Sequence, residues 1–416
     1  MSAILIDNVR LLDPASGRDG GGRVLVEDGR IAALDPRRVP QKGVDRIDGR
    51  GGILAPGFID MRSFAVDAPA ALAGGITTVV LMPDQAPAID TAAKVQFARD
   101  PDPATPSVRV EVMGAATQET AGTAMAEIGL MAEAGAVGFT DGRRAIADAL
   151  LMRRLLEYAR LVDRPVVQHA EDPALAAGGA MNEGEIATRL GLPGIPAAAE
   201  AIMIERDARL VRLTGGRLHI AQVSAAESVE VLRRIRREDG AVSAGVSPHH
   251  FTLNETAVGD YRTFAKVSPP LRGEEDRRAL VEAIRDGVID VICSAHEPRD
   301  QDAKRLPFSE AAPGIVGYET LLPLTLALHH HHDVPLLPLI GMLTARPAAL
   351  LGLAGGRIAE GAPADLVRFD PDRPWRIDPT RFRSETQNTP FTGMPVAGRI
   401  EMTMIGGRIL FREEGS

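Results

Sequence analysis

One pattern constrains this chain more than any other. Between residues 56 and 352, short apolar runs rich in β-branched residues alternate with segments of helical periodicity, as parallel βα units do. Eight strands are expected: Gly57–Met61, Thr77–Met82, Val108–Met113, Val137–Thr140, Pro165–His169, Leu218–Val223, Val242–Val246 and Val288–Ser294. Helix-like segments lie between most of them, for example Ala147–Leu161 and Ala199–Thr214. Strands of this kind and number close most naturally into a (β/α)8 TIM-type barrel, an α/β fold whose chemistry sits at the C-terminal ends of its strands. The longer loops, Ala170–Pro196 and His296–Gly314, fall on that side.

The two ends of the chain read differently. Ile4–Ile6, Val9–Leu12, Arg23–Val26 and Arg30–Leu34 are short β-type runs separated by Asp-Asn, Gly-rich and Asp-Gly turns, the punctuation of hairpins. Asp365–Phe369, Gly398–Ile405 and Arg408–Phe411 repeat the style near the other end. A small β-sandwich built from both termini is expected, with residues 1–55 and 353–416 flanking a barrel at 56–352.

Composition narrows the function classes. A net charge of −9 over 416 residues, with no block of like charge, argues against a nucleic-acid surface. The basic run Arg233–Arg237 is interrupted by Ile235 and reads as the solvated face of a helix. Cys293 is the single cysteine, so no disulfide framework or cysteine-based zinc site is expected. The N-terminal residues lack the basic start and apolar core of a signal peptide, and no apolar run reaches membrane-spanning length. A cytoplasmic protein is the expectation.

Motifs carry the reading further. In Leu54–Phe64 a buried apolar run meets a carboxylate at Asp60. Pro56–Asp60, Gly74–Val79, Met82-Pro83, His169–Asp172, Met181–Gly184 and Gly191–Pro196 with Glu200 follow in order. Then come Ser247–His250, Lys266–Arg272, Lys304, Pro313–Gly317, Glu319–Leu322, Ala364–Val367, Asn388–Phe391 and Gly393. Taken together over nearly the whole chain, this series resembles the dihydroorotases of the amidohydrolase superfamily. The resemblance implies reversible closure of N-carbamoyl-aspartate to dihydroorotate, with zinc-bound hydroxide as nucleophile and an Asp as proton shuttle.

The positions that would carry that chemistry are altered. The family pattern implies a His-x-His pair at the end of the first barrel strand, where this chain has Arg62 and Phe64. A bridging carboxylate survives at Asp141, although an Asp-Asp-Gly is shortened to Asp141-Gly142, and the fifth-strand His survives at His169. On the sixth strand, after His219, Gln222 stands where a second His ligand belongs. At Ser294–Arg299, Ala295 replaces the implied catalytic Asp, and Arg299 replaces a substrate-binding His. The implied substrate seat is changed at Val66, Asp84 and Ser268 as well.

Catalytic zinc needs about three protein ligands and an open position. Asp141 and His169 are the only weak metal candidates, no cofactor is expected, and no residue is expected to be catalytic. The resemblance is therefore to the metal-less family members that support assembly of aspartate transcarbamoylase, which makes the catalytic chain of that enzyme the expected partner and an oligomer the expected state. The alternative is an active dihydroorotase or other cyclic amide hydrolase with zinc in a reduced site around Asp141, His169 and His296.

The remaining candidates have plainer readings. His249 and His250 fit loop packing, His329–His332 a solvated helix end, and Cys293 an inert core thiol. Trp375 fits an interdomain or partner contact. Removing a metal would leave Asp141 in need of a cation, so the Arg62 guanidinium is expected in or beside the vacated site, paired with Asp141 directly or through water, with Arg143 as the competitor.

Overall fold

The structure is a computed structural model that describes residues 3–38, 43–99, 107–238 and 241–413. All eight barrel strands form within a few residues of their expected places: Phe58–Ser63, Ile76–Leu81, Arg109–Ala115, Gly138–Thr140, Val166–Gln168, Leu218–Ile220, Val242–Val246 and Val291–Ile292. They pair in parallel, each with the next in sequence, from first to eighth. The chain adopts the (β/α)8 architecture.

Closure of the barrel rests on few bonds. The Phe64 N–H donates to the His296 carbonyl at 3.0 Å. Below it, the Ser294 N–H and hydroxyl both donate to the Asp60 carboxylate at 2.7 Å. The eighth strand is only two residues long, so a buried side chain on the first strand supplies ladder bonds that a longer strand would make itself. Inside the barrel Ile59, Met61, Val80, Met113, Val167 and Val291 pack as one cluster, filling the lumen as TIM-type barrels require. A larger apolar cluster fills the layer between strands and helices, with Phe139, Leu155, Ile204 and Leu321 among its members.

The β domain is one hydrogen-bonded sheet of eight strands drawn from both ends of the chain. Strand Leu366–Arg376 runs antiparallel to Ile53–Pro56, with Val367 opposite Ala55, and that pairing joins the two ends. The sheet branches at Ala3–Asp13, which pairs with Arg18–Glu27, Val44–Asp48 and Ile53–Pro56. The Asp-Gly signal is a real hairpin turn: Asp28 and Gly29 have φ of 50° and 76°, the left-handed pair that a two-residue loop between twisted strands needs. Ile6, Val24, Leu54, Leu366, Met402 and Met404 share the domain's core.

Barrel and β domain are tied by charge. Arg109 on the third barrel strand makes two bonds to Asp365, at 2.6 and 3.0 Å. The arginines of helix Ala226–Arg237 are laced to acids, Arg233 to Asp286 at 2.9 Å and Arg234 and Arg236 to Glu205 and Asp290. His329–His332 form the last turn of helix Tyr318–His332, where His329 bonds the Val334 carbonyl at 2.8 Å. No helix is long and apolar enough to cross a membrane among the described residues.

Candidate functional site

The C-terminal ends of the strands gather Arg62, Phe64, Gln222, His249, Ser268 and Ala295 around one small cavity. Arg62 is 3 % exposed. Its Nη2 donates to the Gly142 carbonyl at 3.3 Å, and its Nε and Nη1 find no hydrogen-bond partner among the described residues. Burial pulls its pKa down, opposed by the nearby carboxylates of Asp84 and Glu297. Arg62 makes no direct hydrogen bond or ion pair with Asp141 among the described residues, although it bonds the carbonyl of the neighbouring Gly142.

Asp141 is held instead by Thr117, whose N–H and hydroxyl donate at 2.9 and 2.6 Å. Burial pushes the Asp141 carboxyl above its ordinary range despite these bonds. A carboxylate stripped of a metal can be satisfied by neutral donors as well as by a cation, and Thr117 lies at the end of the third strand, next to Asp141 in space. The turn after Asp141 depends on glycine: Gly142 has φ of 69°, and a Cβ there would come within 2.1 Å of Asp84.

Arg143 plays the larger part in the mouth. Its guanidinium bonds Asp84 at 2.6 Å and Glu297 at 2.5 Å. It also lies 3.8 Å from the centroid of the Phe64 ring, with Arg62 at 5.1 Å from the same ring, a cation–π arrangement. Glu297 binds Arg299 too, and Arg299 is fixed by its Nε donating to the Pro313 carbonyl at 2.8 Å. Asp84 is thus tied up by Arg143. Phe64, Arg143 and Glu297 line the mouth together with Arg62, and the cavity they leave measures about 10 Å³, room for about one water molecule.

The other residues are spread around the rim. His169 Nε2 meets the Ser268 hydroxyl at 3.2 Å and lies 3.8 Å from Glu171. Gln222 donates to Ser247 at 2.5 Å. His296 stacks on Tyr318 at 3.9 Å between centroids, and burial drives its pKa to about 3. Burial also takes His219 and His250 to about 4, and His250 bonds the Pro269 carbonyl at 2.9 Å. Ala295 has φ of 51°, a strained backbone for a non-glycine residue. Val66 is 39 % exposed and lies off the cavity. Burial raises the Cys293 thiol to about 12, which suits an inert core group.

Zinc does not fit this arrangement. Among the described residues no group of three or more His, Cys, Asp or Glu could hold a metal ion. Asp141 faces Thr117, His169 faces Ser268, and a guanidinium with two unspent donors stands in the mouth.

The (β/α)8 barrel joined to a β domain built from both ends of the chain is the architecture of the amidohydrolases. It is similar to an L-hydantoinase (dihydropyrimidinase) from Arthrobacter aurescens, with a TM-score of 0.87, 26% identity and coverage of 100% of this chain and 97% of that one. A dihydro-orotase-like family model matches residues 61–228 and an amidohydrolase family model residues 314–411. The chain is 40% identical to a dihydroorotase from Syntrophotalea carbinolica, over 98% of this chain and 99% of that protein. It is 42% identical to one from Desulforapulum autotrophicum, over 94% and 95%. The chain belongs to the dihydroorotase family.

Four participants were not singled out in the sequence as parts of the site: Thr117, Glu171, Glu297 and Tyr318. Glu171 and Glu297 had a usable signal, each an acid two residues from its partner, His169 and Arg299, within a quoted motif. Thr117 and Tyr318 come from a separate strand end and a helix, with no spacing that links them to Asp141 and His296.

Proposed function

We propose that this chain is a non-catalytic member of its family, whose role is structural: assembly with the catalytic chain of aspartate transcarbamoylase. The observation that carries the reading is the filled mouth, where Arg62, Phe64 and Arg143 leave about 10 Å³ against the several hundred Å³ that ligand pockets ordinarily offer. Ala295 adds a second ground, because a methyl group cannot shuttle a proton. A barrel kept intact around a mouth filled by side chains is a scaffold offering its outer surface.

The alternative, hydrolysis of a cyclic amide at a reduced zinc site, has in its favour the 40% identity to a protein named dihydroorotase. It requires Asp141, His169 and His296 to converge on one ion, and His296 is instead stacked on Tyr318. The test is metal analysis of protein purified without a His-tag, together with ring-closure and ring-opening assays. No turnover is expected; stoichiometric zinc with turnover would overturn the non-catalytic reading. For the partner, co-elution with a transcarbamoylase chain and a rise in its activity are expected, and absence of both would remove the assembly role.

A further inference from the structure

A cleft of about 910 Å³ lies between the β domain and the flank of the barrel, and it shares no lining residue with the mouth. Helices Ala68–Ala73 and Tyr318–His332 face strands Leu366–Arg376 and Pro395–Ile405 across it. Six arginines line it: Arg373, Arg376, Arg381, Arg383, Arg399 and Arg412. Glu319, Asp378 and Glu413 are the acids, which leaves a formal excess of three positive charges in a chain whose net charge is −9.

Those acids are already engaged. Glu413 holds Arg399 at 3.2 Å. Asp378 accepts from the Thr380 N–H and hydroxyl at 3.0 and 2.7 Å. Glu319 accepts from the Arg383 and Ser384 N–H groups at 2.7 and 3.3 Å. Of the guanidiniums, Arg376 spends one donor on the Gly393 carbonyl at 3.0 Å. Arg373, Arg381, Arg383 and Arg412 form no ion pair or side-chain hydrogen bond among the described residues. A surface that repels itself in this way is stabilised by an anion that enters it.

The walls also carry rings. Trp375 is pinned by its Nε1–H donating to the Gly398 carbonyl at 2.9 Å, with Arg399 at 4.5 Å from its ring. Phe382 and Phe411 line the same cleft. Guanidinium forks match phosphate oxygens in pairs, and aromatic faces match a planar heterocycle. The volume lies in the range of small-molecule sites.

We propose that this cleft binds a nucleoside polyphosphate, its phosphates on the unpaired arginines and its base against the aromatic residues. The site does not depend on whether the barrel mouth catalyses anything. Trp375 is the single tryptophan of the chain, so its emission reports occupancy directly. ATP titrated into the full chain should change that emission saturably, with matching heat in calorimetry. Inorganic pyrophosphate should bind more weakly and inorganic phosphate more weakly still. The exposed double variant Arg381→Glu, Arg383→Glu should weaken ATP by roughly tenfold or more, and added salt should weaken the wild type. Absence of a saturable response at millimolar ATP would overturn the proposal, as would unchanged affinity in the variant. Pyrophosphate binding as tightly as ATP would remove the base-binding half. Tighter binding of a hexa-aspartate peptide than of ATP would overturn it in favour of a docking surface for an acidic protein segment.

Discussion

Arg62 stands where the family resemblance implies a metal ligand, and its energetics follow from what surrounds it. It is 3 % exposed, with one long bond to Gly142 and two unspent donors. Burying a charge without full compensation is costly, and replacing such a group by an apolar one of similar volume is often neutral or stabilising. Arg62→Met should therefore raise Tm by roughly 1–3 °C, read by calorimetry at fixed scan rate. A fall of several degrees would mean that the guanidinium contributes to stability through Phe64 and the nearby acids. Arg143→Met should behave oppositely, since it removes the partner of Asp84 and Glu297 together. Arg62, Phe64 and Gln222, expected at ligand positions, and Ala295, expected at the position of the catalytic Asp, were named from the motifs, and the structure gathers all four around one cavity. Where the Arg62 charge goes could not be read from the motifs, because the competing acceptor, Gly142, and the competing donor, Thr117, are fixed only by strand-end geometry.

At the scale of the element, the eighth strand is short, and Asp60 holds it to the first through Ser294. Burial, opposed by the Ser294 bonds, raises the Asp60 pKa to about 7. A carboxyl raised on folding binds its proton more tightly in the native state, so its contribution to stability is fully present below the unfolded value near 3.9 and is lost as pH rises to about 7. Asp207, raised to about 6 by burial, acts in the same direction. The buried histidines, lowered to about 3 to 4, act in the opposite direction over the same range, so the test is a difference. In urea unfolding between pH 4 and 7 the wild type should lose more stability, or gain less, with rising pH than Asp60→Asn, and identical slopes would remove Asp60 from this role. The eight strands were legible because β-branched runs bounded by turns have few alternatives. Their closure was less so: nothing in the spacing of Asp60 and Ser294 says that they meet. The two-ended β domain was legible from its hairpin turns, whereas the branching at Ala3–Asp13 depends on pairing between distant segments.

For the molecule as a whole, the mouth and the outer surface are separable. Changing Arg62 and Phe64 to His would place two imidazoles near His169 and Asp141, a workable number of zinc ligands. Gln222, Ala295, Asp84 and Arg299 would remain. The double variant should gain zinc, measured by elemental analysis, yet show no ring closure above background, because no group can shuttle the proton. Any association with a transcarbamoylase chain should persist. Recovery of turnover would show that Gln222, Ala295, Asp84 and Arg299 do not by themselves prevent catalysis.

The pairing of Ile53–Pro56 with Leu366–Arg376 has a consequence for biosynthesis. While the ribosome is making the three hundred or so residues between these strands, Ile53–Pro56 lacks its neighbour on that side. The nascent chain therefore presents an open sheet edge for most of its synthesis, a template for the wrong partner. A stop codon just before Leu366 would make that exposure permanent, and such a product should accumulate in the insoluble fraction even though every barrel strand has been translated.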